Sequence, residues 1–136
     1  MRIPPISTRW KDNSNCQMHE SLPNTIDYIE MPSRELAKTK KFFSALFAWS
    51  FVDYGPDYAS FDDGRMAGGF FVSEKTADVS AGAPLVVFYQ SELEKACAKV
   101  VDLGGKITRE IFEFPGGHRF HFREPGGCEF AIWSDK

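Results

Sequence analysis

A chain of 136 residues with 16 Lys and Arg against 19 Asp and Glu has a formal net charge of −3, which offers a nucleic-acid backbone no basic surface to grip. Hydrophobic residues at 43% and aromatics at 15% exclude disorder for the body of the chain and suffice for one domain with a real core. No run reaches the roughly 18 apolar residues of a membrane span and the N-terminus lacks an apolar signal core, so the expected location is the cytoplasm. Cys16, Cys97 and Cys128, odd in number and far apart, fit reduced thiols rather than a disulfide framework.

Residues 1–24 stand apart, with Pro4-Pro5, Lys11-Asp12-Asn13-Ser14-Asn15 and Pro23-Asn24. They read as an extension docked through Ile3, Ile6 and Trp10 on its own domain or on a partner chain. Cys16-Gln17-Met18-His19 has a ligand-like spacing, but a single pair makes no metal site. Thr25 to Met31 then reads as a strand, with Ile26, Tyr28 and Glu30 on one face and Asp27, Ile29 and Met31 on the other. Ser33 is placed to cap a helix whose apolar stripe is Leu36, Phe43, Leu46 and Phe47. The lysines of Lys38-Thr39-Lys40-Lys41 read as its solvated face. Ser50 to Tyr54, Tyr58 to Phe61 and Met66 to Ser73 read as three strands, punctuated by Gly55-Pro56 and Asp62-Asp63-Gly64.

Residues 74–83 form a linker, after which the order repeats. Leu85 to Tyr89 is a strand, Ser91-Glu92-Leu93-Glu94 has the spacing of a capping box, and Leu93, Ala96, Cys97, Val100 and Leu103 make a buried stripe that Gly104-Gly105 ends. Lys106 to Phe112, Arg119 to Arg123 and Cys128 to Trp133 follow as strands. Leu36 and Leu93 open the two helices 57 positions apart (93 − 36). A repeat this long, present only twice, predicts two equivalent units closing on one another with a cleft at their seam, not a solenoid.

Ile26 to Pro32 followed by Glu35-Leu36, then Phe42-Phe43-Ser44-Ala45-Leu46-Phe47-Ala48-Trp49, resembles the opening of the glyoxalase, bleomycin-resistance and extradiol-dioxygenase superfamily, the vicinal oxygen chelate proteins. Leu103-Gly104-Gly105-Lys106 and the turn Glu124-Pro125-Gly126-Gly127 carry the resemblance through the second half. It implies an α+β domain over residues 25–134, built of two βαβββ modules (25–73 and 84–134) whose mixed sheets curl into a funnel, completed by a second subunit in a homodimer. The family has Gly before the Trp where this chain has Ala48; alanine at positive φ costs on the order of 1 kcal/mol.

Metal-using members place His, Gln or Glu at four inward positions, which alignment carries to Tyr28, Gly68, Leu85 and Ala131. Gly, Leu and Ala offer no lone pair, and a phenol is a poor ligand near neutral pH. The resemblance therefore points to a metal-free small-molecule-binding protein, with no cofactor expected and a small organic ligand in an aromatic funnel. Tyr28, Glu30, Tyr89, His118, Glu129 and Trp133 are its candidate contacts. Two alternatives stay open. One is a glyoxalase-like lyase, isomerase or dioxygenase with Glu30 and His118 as catalytic groups and a divalent metal displaced or rebuilt around Glu30 and Glu129. The other is an accessory subunit with a vestigial funnel. Glu30 could instead be structural, paired with Arg65 or Arg119. His118 and His121, three apart, face opposite sides of a regular strand and cannot chelate together; each also reads as a histidine without a ligand role, His121 the more so.

Overall fold

The computed structural model describes residues 20–136; the docking segment and the Cys16–His19 pair lie outside the described residues. Each half of the chain is a strand, a helix and three strands. The first comprises β1 (Tyr28–Ser33), α1 (Leu36–Phe47), β2 (Ser50–Asp53), β3 (Tyr58–Asp62) and β4 (Ala67–Val72). The second comprises β5 (Val86–Tyr89), α2 (Leu93–Asp102), β6 (Lys106–Phe114), β7 (Gly117–Arg123) and β8 (Glu129–Ser134). The sheets have matching orders, β1-β4-β3-β2 and β5-β8-β7-β6. In each the first strand runs parallel to the last and the other pairs are antiparallel, which is the α+β fold of paired βαβββ modules.

β1 runs on through Pro32 and Ser33 instead of stopping before them. Pro32 is tolerated because β1 is an edge strand and needs no donor on its outer side. The predicted N-caps shift accordingly. Ser33 Oγ does accept the Glu35 N–H at 3.1 Å, but α1 begins at Leu36 with Glu35 in the cap position. The capping box at α2 does not form: Glu92 holds the cap position without a side-chain capping bond to the helix backbone and pairs instead with the Lys95 side chain at 2.9 Å. The alanine predicted to be strained is so, with Ala48 at φ 60° and ψ 33°. That left-handed step turns Trp49 back under the sheet, where its ring stacks on Phe43 at 4.6 Å and on Phe61 at 4.3 Å.

One core joins both halves. Phe43, fully buried, packs on Phe70 of the first sheet at 5.7 Å and edge-on to Phe130 of the second at 5.4 Å. Of the thirteen phenylalanines, ten lie in this core or against it. The interior, not a pocket, accounts for most of the aromatic content. Beyond the rings, the β7–β8 turn is tied to α1: Glu124, 2% exposed, accepts the Thr39 hydroxyl at 2.7 Å and the N–H groups of Gly126 and Cys128 at 2.7 and 3.1 Å. Arg34 N–H donates to Gly126 O, and Cys128 Sγ–H to Pro32 O, both at 3.0 Å.

Candidate functional site

With the core on one side of each sheet, the opposite faces are where a ligand can be met; we call them the inner faces. Alternation along β1 sends Ile29 and Met31 to the core and leaves Tyr28 and Glu30 on the inner face. There Tyr58, from β3, donates its hydroxyl proton to Glu30 Oε2 at 2.8 Å and shares a 2.5 Å hydrogen bond with Tyr28 Oη. Burial, and then its bonds to Tyr28 and Glu30, push the Tyr58 phenol above its ordinary value, so it stays a proton donor. Glu30 thus has a tyrosine as its partner, not Arg65 or Arg119. The glycine beneath this triad is Gly69, one residue beyond the aligned Gly68. A Cβ at Gly69 would overlap Tyr58 Oη and lie 2.8 Å from Tyr28 Oη, whereas a Cβ at Gly68 would strike the core ring of Phe61.

The registers superpose the second module on the first. Tyr58 pairs with Phe71 and Ser60 with Gly69, as Arg119 pairs with Trp133 and His121 with Ala131. By this correspondence Arg119 takes the place of Tyr58 and His121 that of Ser60. The equivalents of Tyr28 and Glu30, 57 residues on, are Leu85 and Val87, which have no polar side-chain atom. The triad of the first module is closed on itself; its counterpart is not. Arg119 Nε and His121 Nε2 are both buried without a hydrogen-bond partner. The Arg119 guanidinium lies over Phe112 and Phe114, 5.4 and 5.5 Å from the ring centroids, and Arg109 stacks on Phe112 at 3.6 Å.

Glu129 is on this face and already engaged. It accepts the Val79 N–H at 3.1 Å, faces Arg123 at 4.0 Å, and lies 3.6 Å from His121 Nδ1. Arg123 in turn pairs with Asp78 and donates to Gly127 O. Burial first, and Arg119 second, hold His121 below its ordinary pKa against the pull of Glu129, which keeps the ring neutral at pH 7. His118, read from the sequence as a candidate ligand contact and catalytic group, belongs to β7 itself and pairs with Ser134 across the ladder. It therefore faces away from Arg119 and His121, and its Nδ1 lies 3.1 Å from Lys136 O.

Tyr89 and Trp133 meet edge-on at 5.2 Å. With Val87 and Phe88 they line one wall of an open cleft of about 610 Å³, whose other wall comes from Phe47, Trp49, Asp63 and Arg65 of the first module. A cleft of this size suits a small organic molecule. Trp133 lines the cleft and, paired with Arg119 across the ladder, also stands on the inner face.

The divalent ion implied by the family does not fit the residues present. The positions carried over by the resemblance hold Tyr28, Gly68, Leu85 and Ala131, at the adjoining Gly69 the Tyr58 hydroxyl fills the space a side chain would need, and no three His, Cys, Asp or Glu among the described residues group as ligands. Sequence reading gave Arg119 only as a possible partner of Glu30 and passed over Arg109, Phe112 and Phe114. The available signal was Arg119-Phe120-His121 itself, whose alternation sends Arg119 and His121 to one face if Phe120 is core.

Among the described residues no helix is long and apolar enough to cross a membrane. No curated protein gives a significant match. Solved structures do. A glyoxalase/bleomycin resistance protein/dioxygenase family enzyme from Burkholderia phytofirmans PsJN is 15% identical, aligning over 82% of this chain and 100% of its own with a TM-score of 0.69. A lactoylglutathione lyase from Agrobacterium tumefaciens is 16% identical over 84% and 96%, with a TM-score of 0.63. A Listeria monocytogenes fosfomycin resistance protein, FosX, complexed with Mn(II) and a dihydroxypropylphosphonic acid, is 12% identical over 83% and 91%, with a TM-score of 0.68. Such identities speak to fold alone. The model of the Glyoxalase/Bleomycin resistance protein/Dioxygenase superfamily matches residues 25–132, and the chain belongs to that superfamily.

Proposed function

We propose that this protein is a small-molecule-binding member of the superfamily that holds its ligand without a divalent metal, and that it works as a homodimer. The observation that carries the reading is the chemistry of the inner faces. Where metal-using relatives need donors, this chain has a phenol locked in a hydrogen-bonded triad, a glycine, a leucine and an alanine. What remains is aromatic surface with a few fixed polar groups beside a cleft of about 610 Å³, the usual composition of a site for an organic ligand. A second copy supplies what one chain lacks, since each inner face lies on the outer side of the common core, and an aromatic face with polar tips suits a partner across it.

A second reading draws on one contact. Tyr58 orients the Glu30 carboxylate at 2.8 Å, a geometry fit for acid–base work on a bound substrate. Metal analysis of protein purified without chelator separates the readings from metal catalysis. We expect well under one transition metal per chain and no thermal shift on adding Ni²⁺, Zn²⁺ or Mn²⁺; one tightly bound ion per chain would overturn the proposal. Glu30→Gln distinguishes the remaining two, abolishing turnover of a substrate in the second reading and leaving ligand binding within about threefold in the first.

A further inference from the structure

Arg119 and His121 occupy the positions that Tyr58 and Ser60 hold in the first module, yet Leu85 and Val87 stand where their polar partners would be. His121 is the sharper case: its side chain is 9% exposed and Nε2 has no partner. Leaving a buried polar atom unmet costs stability, and native structures seldom do so without a functional reason. The carboxylates nearby do not supply the missing bonds. Glu129 is spent on Val79, Arg123 and the far nitrogen of His121, and Asp78 is spent on Arg123. What lies against the Arg119 guanidinium is the rings of Phe112 and Phe114, which offer it no carboxylate and leave its charge for an anion.

On the small-molecule-binding reading, we infer that the ligand is a planar aromatic acid with a hydroxyl on its ring, meta to the carboxylate. Arg119 takes the carboxylate, His121 Nε2 accepts the hydroxyl proton, and the ring lies among Phe112, Phe114 and Trp133. The polarity of each contact follows from the surroundings. Arginine is always a donor and pairs with planar carboxylates through two parallel bonds. His121 turns Nδ1 toward Glu129, so the tautomer that suits this pair carries its proton there and presents a lone pair at Nε2. Arg119 and His121 are two residues apart on the same face of β7, about 7 Å at the backbone, a spacing that suits ring substituents set apart in the meta position and not adjacent ones. A cationic ligand would meet the like charges of Arg119 and Arg109 on this face and be repelled.

3-Hydroxybenzoate, benzoate and benzamide isolate the terms, with binding followed by NMR titration of the full chain. We expect 3-hydroxybenzoate to bind more tightly than benzoate, and benzoate about tenfold more tightly than benzamide, the effect of one charge-assisted contact. Arg119→Gln should bring benzoate down to benzamide, Arg119→Lys should recover part of the difference, and His121→Phe should erase only the preference for 3-hydroxybenzoate. Amide spectra of the free variants report whether each is folded, and the lysine variant tests the charge if the glutamine variant is not. Equal binding of benzoate and benzamide, or an undiminished preference in folded Arg119→Gln, overturns the inference while leaving the small-molecule reading in place. If none of the three binds and a broader panel of neutral and cationic aromatics also fails, the reading itself falls and the inference with it.

Discussion

Two alanines three residues apart make opposite demands on the backbone. Ala48 follows α1 in the left-handed region, at φ 60° and ψ 33°, with its side chain in solvent. An L-residue there costs about 1–2 kcal/mol that glycine does not incur, while glycine's greater freedom in the unfolded chain returns about 0.4–1 kcal/mol of that. No packing is lost, because the Cβ touches water. Ala48→Gly should therefore stabilise the protein by about 0.5–1 kcal/mol, a rise of about 2–4 °C for a domain of this size. Ala45 is also exposed but lies inside α1, so Ala45→Gly should destabilise by about 0.5–1 kcal/mol. Urea denaturation measures both: midpoints should move in opposite directions at constant slope, and the double variant should come back close to the parent. If Ala48→Gly is neutral or destabilising, the left-handed turn does not carry the strain assigned to it.

Glu124→Gln keeps the oxygen that receives Thr39 and Gly126 but sets an amide NH₂ against the Cys128 N–H, donor facing donor in a buried site. It should cost about 1–3 kcal/mol in the same urea assay, and an unchanged midpoint would mean that the tie contributes nothing. His121 yields a pH dependence. Its folded pKa lies below the unfolded value of about 6.5, so the stability it confers is complete above pH 6.5 and lost as pH falls below it. Between pH 6.5 and the folded pKa the loss approaches about 1.4 kcal/mol per pH unit. His121→Asn should flatten that stretch of the stability curve whatever it does to the plateau, and an identical slope in the variant would refute the assignment.

The duplicated order of elements could be read from the chain because hydrophobic period, turn residues and spacing are local signals, and both halves carry them in the same sequence. Side-chain direction was harder to read wherever a strand lacked a marker of phase. Gly68 and Gly69 have no side chains to alternate. The strand's start is set by Asp63, whose carboxylate takes the N–H groups of Arg65 and Met66 at 2.8 and 2.6 Å and delays β4 to Ala67. In β6 the irregularities between Ile107, Arg109 and Phe112 bring Arg109 and Phe112 to one face although they are three apart, against simple alternation. The tight turn before Gly117 made His118 look like a loop residue when it is a ladder position. The repeat itself drifts, from 57 residues at the helices to 62 at the last strands (129 − 67). Counting by a fixed offset therefore fails where Arg119 and His121 lie.

A chain written twice suggests two halves able to fold alone, and the ties described above argue otherwise. Phe43 divides its contacts between the sheets, Thr39 of the first half completes the turn of the second through Glu124, and Cys128 reaches back to Pro32. Cutting the chain in the 74–83 segment would leave one fragment with a buried carboxylate lacking its hydroxyl and the other with a Phe43 ring open to water. Neither fragment keeps enough apolar burial to offset its ordering entropy. The duplication survives as a pattern of strands, while stability belongs to the pair as a single cooperative unit: hydrogen exchange in the cores of the two halves should report one common opening free energy.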